Sequence, residues 1–64
     1  MRGLVSAFDA AAGLGEVTGE DGSRYAFHCV EIADGTRAVD VGGRVEFTTL
    51  AKLGTYEAAW LRKL

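Results

Sequence analysis

The sequence predicts an all-β fold, a small antiparallel barrel of five strands that uses residues 1–64 as one domain. Three observations predict it: strand-forming runs recur between turn signals about every ten residues, no stretch has the spacing of a long amphipathic helix, and Pro is absent. Five short strands laid out flat would leave two unpaired edges, which closure into a barrel removes.

Gly3–Asp9 is a short apolar run and makes the first strand. The three alanines that follow, Ala10–Ala12, favour helix by propensity, but the run is too short and Gly13 and Gly15 close it, so a turn is predicted. Leu14–Thr18 is a weak second strand, in which Gly15 marks a bend or a place where another group approaches the backbone. Gly19–Ser23 is a turn centred on Asp21-Gly22. In the third strand, Arg24–Cys29, alternation puts Tyr25, Phe27 and Cys29 on one face and Ala26 and His28 on the other.

Val30–Thr36 has room for one helical or 3₁₀ turn, stopped by Gly35. In the fourth strand, Arg44–Leu50, Val45 and Phe47 alternate with Arg44, Glu46 and Thr48, the pattern of a half-buried strand. Ala51–Gly54 turns the chain into a last strand, Thr55–Leu61, on which alternation places Tyr56, Ala58 and Trp60 together.

Composition narrows the function. A chain of 64 residues buries only about 60% of the surface its unfolded form exposes, so its core is thin. Cys29 is the only cysteine and cannot form an internal disulfide, which fits a reducing compartment. With His28 the only histidine, the pair cannot supply a structural zinc site, and no metal or other cofactor is expected. The apolar run before Asp9 is too short for a signal peptide or a membrane span, so a cytoplasmic protein with no membrane partner is expected. Seven basic against nine acidic side chains give a net charge of −2, which weighs mildly against a polyanionic partner.

Taken in order, these segments resemble the bacterial cold-shock domain. Ser6-Ala7-Phe8-Asp9 falls where that family carries Lys-Trp-Phe-Asn, and Ala12-Gly13-Leu14-Gly15-Glu16-Val17 where it carries Lys-Gly-Phe-Gly-Phe-Ile. The turn Thr18–Ser23 follows, and Tyr25-Ala26-Phe27-His28-Cys29 aligns with Val-Phe-Val-His-Phe. Glu31-Ile32 and Val41–Phe47 continue the match, and Leu53–Ala58 occupies the place of Lys-Gly-Pro-Gln-Ala-Ala. The resemblance spans nearly the whole chain, with one small deletion before Tyr25. It implies an OB-type barrel that is not an enzyme and binds single-stranded RNA or DNA.

In that family the bases stack on rings projecting from the first three strands. Here Ala7, Leu14, Glu16, Ala26 and Cys29 stand at ring positions, and Ser6 and Ala12 replace flanking lysines. The lost rings remove on the order of 3–8 kcal/mol of stacking, so binding no tighter than micromolar is expected. The resemblance implies that what remains is carried by Phe8 and His28, with Leu14 at a former ring position and Lys52 in a loop that contacts ligand in the family. Phe8 has a second role open to it, capping the barrel.

For Tyr56 and Trp60 two roles are open: filling volume left by the lost rings, or forming an aromatic patch for a protein partner. A rival function follows from the same losses. Ala7, Leu14 and Ala26 leave a flatter apolar face, suited to a protein partner or a homodimer.

Overall fold

The computed structural model describes all 64 residues. Five strands, β1 (Arg2–Asp9), β2 (Leu14–Gly19), β3 (Arg24–His28), β4 (Arg44–Lys52) and β5 (Thr55–Lys63), close in the order β1-β2-β3-β5-β4. Four neighbouring pairs are antiparallel, and β3 meets β5 in parallel. A closed ring with an odd number of strands cannot alternate direction throughout, so one parallel pair is required. No helix is long and apolar enough to cross a membrane.

The turns use the chemistry that the sequence offers. Asp9 Oδ1 accepts hydrogen bonds from the amides of Ala11 (3.1 Å) and Ala12 (3.2 Å), so the three alanines form a turn and no helix. Between β2 and β3, Asp21 Oδ1 accepts from the Ser23 amide at 2.9 Å, and Gly22 takes the left-handed φ of 82° that the turn needs. Cys29 leaves the strand and opens a 3₁₀ turn, Cys29–Glu31. The β4–β5 hairpin is longer than its composition suggests, since pairing continues to Lys52 and Thr55.

The core is Val5, Val17, Tyr25, Phe27, Ile32, Val45, Phe47, Ala58 and Leu61, with Phe8, Cys29 and Val39 packed against it. The alternation read in β3 and β4 holds: Tyr25, Phe27, Val45 and Phe47 point inward while Ala26 and His28 point out. On β5 it fails. Glu46 pairs with Arg62 and Thr48 with Ala59, so two β5 residues, Trp60 and Leu61, stand opposite the single Phe47. Leu61 takes the buried position, and Trp60 is turned out to 69% exposure. Tyr56 lies on the hairpin beyond the core and is 59% exposed. Neither ring fills the core, so the volume-filling role for Trp60 and Tyr56 is overturned, and the bulge takes Trp60 off the face it was expected to share with buried Ala58.

Surface carboxylates tie the periphery down. The Tyr25 hydroxyl donates to Asp21 Oδ2 at 2.7 Å, which lowers the carboxyl pKa of Asp21 and raises that of the phenol. The Glu46 carboxylate lies between Arg62 and Arg2 and is held below its ordinary value, chiefly by Arg62. The Thr36 amide, then Lys63 and the Thr36 hydroxyl, bring Asp34 down to about 2. Unfolded carboxylates titrate near 4, above these folded values. Their stabilisation is therefore complete above about pH 4 and is lost as pH falls toward the folded values. Thermal midpoints measured by circular dichroism should be flat near neutrality and fall between about pH 4 and 2. In Asp34→Ala part of that slope should vanish, and an unchanged slope would contradict this account.

Candidate nucleic-acid interface

Register arranges the outer face of β1–β3 in rows. Leu4, Thr18 and Arg24 form one, Ala7, Glu16 and Ala26 the next, and Asp9, Leu14 and His28 the last. In that last row Leu14 is 46% exposed and His28, its direct cross-strand partner, is also exposed. An apolar contact and an imidazole thus stand side by side at one end of the sheet.

Phe8 belongs to the neighbouring row, which faces inward. It pairs with Gly15, and Gly15 pairs with Phe27. Because the residue between them has no side chain, the two rings meet over it, with centroids 6.1 Å apart and planes 6° from parallel. One face of Phe8 is occupied by Phe27, and the ring caps the core beside the Leu14–His28 pair, half-buried. Lys52 is exposed at the far end of β4, with β5 between it and β3. The fold therefore brings Leu14, His28 and Phe8 together and leaves Lys52 apart.

The middle of the face is acidic. Glu16 lies between Ala7 and Ala26, and its Oε1 accepts from Ser6 Oγ at 3.0 Å and lies 4.0 Å from Arg24 Nε. An exposed ion pair of that length contributes little to stability. The flat apolar surface expected from Ala7, Leu14 and Ala26 is thus interrupted by a carboxylate.

Cys29 packs against the core while His28 is exposed, which separates the two side chains. No group of three His, Cys, Asp or Glu is placed to hold a metal ion.

The outward position of Trp60, at 69% exposure, decides between the two roles that the sequence left open for it. The available signal was the adjacency of Trp60 and Leu61 in a strand that can bury only one of two neighbours.

No family model matches this chain, and no curated protein matches it. Among solved structures, Drosophila Unr CSD456, a structure of Unr cold-shock domains, is similar over 98% of this chain with a TM-score of 0.78 and 24% identity. The barrel has the cold-shock-domain fold. This chain spans 26% of the length of that Unr chain, about a quarter of it. At this identity the likeness concerns the OB-type architecture, and the side chains of the outer face must be judged on their own chemistry.

Proposed function

We propose that this cold-shock barrel is a binding module, not an enzyme, and that it binds single-stranded RNA or DNA weakly. The observation that carries the reading is the exposed Leu14–His28 pair on the outer face of β2–β3. His28 offers a ring and a hydrogen-bonding edge, Leu14 a flat apolar contact, and Phe8 supports both from the core. Glu16 accounts for the weakness, since it sets a negative charge where phosphates would pass.

Anisotropy of labelled oligo-dT and single-stranded RNA at low salt should give saturable binding, micromolar or weaker, that weakens further with added salt. His28→Ala and Leu14→Ala should each reduce affinity several-fold. Absence of a saturable signal at low salt would sink the reading.

A protein partner or homodimer is the second reading. It is favoured by the exposed apolar side chains of the β4–β5 hairpin, Leu50, Leu53 and Tyr56. Sedimentation of the free protein separates the two, because a dimer that buries the hairpin would support the second.

A further inference from the structure

We propose that Trp60 is a base-stacking platform for single-stranded nucleic acid on the β4–β5 side of the barrel, with Arg62 and Arg2 as the donors that meet phosphate. This rests on the reading that the domain binds single strands, and places an additional contact away from the β1–β3 face.

The backbone is the first ground. Trp60 has φ 57°, a left-handed conformation that Gly or Asn adopts more readily than a large aromatic residue. The bulge spends this strain to present the ring, since the same register buries Leu61 and turns Trp60 out to 69% exposure. Bulges commonly re-aim a side chain at functional positions. The bulged amide is also secured: Trp60 N–H donates to Glu31 Oε1 at 3.2 Å. Glu31 thereby links the 3₁₀ turn to the bulge and holds the platform in place.

The surroundings are the second ground. Trp60 shares a shallow depression with Arg62, Thr48, Glu46, Phe47 and Met1. Across the strands, Arg2, Glu46 and Arg62 form one outward row in which a single carboxylate lies between two guanidinium groups. Glu31 brings a second carboxylate to the Trp60 amide, and the Met1 ammonium, which lines the same depression and donates to the Phe47 carbonyl oxygen at 2.7 Å, leaves the surroundings of the ring with one positive charge in excess. Both arginines remain well exposed, with side-chain values of 66% and 63%. Arg44 lies two residues from Glu46 on the same outward parity of β4. The β1–β3 face, by contrast, carries Asp9 and Glu16 against Arg24.

An exposed indole beside fork-shaped cationic donors has the chemistry that receives a base and its flanking phosphates. A single strand engages both parts of this surface at once, a base on the indole and its phosphates on the guanidinium groups, and that joint fit favours it as the occupant over a second copy.

Trp60 is the only tryptophan, so its fluorescence reports on this place alone. The test titrates the intact chain with oligo-dT and oligo-U at low salt, following oligonucleotide anisotropy and Trp60 emission together. Binding should quench Trp60. Trp60→Asn, whose side chain tolerates left-handed backbone, should keep the thermal midpoint and weaken binding about tenfold or more. Arg62→Ala should lower the slope of log affinity against log salt by about one.

Anisotropy that saturates with unquenched Trp60 and an unaltered Trp60→Asn affinity would overturn the proposal while leaving single-strand binding intact. No anisotropy signal at all would overturn both. Self-association that Trp60→Asn abolishes would assign the face to a second copy and overturn the proposal.

Discussion

Gly15→Ala should unfold the barrel more readily than any other single added methyl group on β2, with the thermal midpoint falling by 10 °C or more. A Cβ at this position would lie 2.4 Å from Phe27 Cζ, 2.6 Å from Phe27 Cε1 and 2.9 Å from the Ala7 carbonyl oxygen. The carbonyl belongs to the β1 ladder and cannot retreat without breaking it. Phe27 is only 1% exposed and is stacked on Phe8, so the ring has no free space to enter. Overpacking of this kind costs typically about 1–3 kcal/mol, and more when backbone is involved.

A chain of this size has about 3–10 kcal/mol of total stability, and each kcal/mol shifts the midpoint by about 4–8 °C in a domain of this length. Gly54→Ala is the control. Its φ of 74° makes any side chain strained, at about 1–2 kcal/mol, but no atom lies within 4 Å of the new methyl group. Thermal melts should place Gly15→Ala clearly below Gly54→Ala. Equal midpoints would mean that the stacked rings do not depend on the missing side chain.

The same glycine shows how far sequence could be read. Its role as a place of close approach was legible, because Gly within a strand signals it, but the approaching group was not. Only the register that joins Phe8, Gly15 and Phe27 identifies the ring, and that register depends on three strands at once. The inward faces of β3 and β4 were legible for the opposite reason: alternation within one strand suffices where the pairing is regular. On β5 that rule broke at Trp60, since a bulge is set by the partner strand and leaves only a faint local trace. For the site, His28 and Leu14 could be placed on an outer face from sequence. The half-buried state of Phe8, and the separation of Lys52 by the intervening β5, required closure of the barrel.

Glu16→Phe should convert a weak binder into a much stronger one, with affinity for oligo-dT rising by about five- to a hundredfold. Two effects act together. One ring on which a base can stack contributes about 1–3 kcal/mol. Loss of the carboxylate also removes a repulsive charge from the path of the phosphates and frees Arg24, whose guanidinium now lies 4.0 Å from Glu16 Oε1. The position can accept the ring, because its cross-strand neighbours are the small Ala7 and Ala26. Glu16 makes only exposed contacts with Ser6 and Arg24, so the substitution should leave the thermal midpoint within a few degrees of the parent.

Glu16→Gln separates the two effects. It removes the charge without adding a ring, and its gain should be the smaller and should shrink as salt rises. The stacking part of the Glu16→Phe gain should survive at higher salt. If Glu16→Phe binds no more tightly than the parent at any salt concentration, single strands do not cross the middle of β1–β3, and the binding assigned to Leu14 and His28 would have to be abandoned.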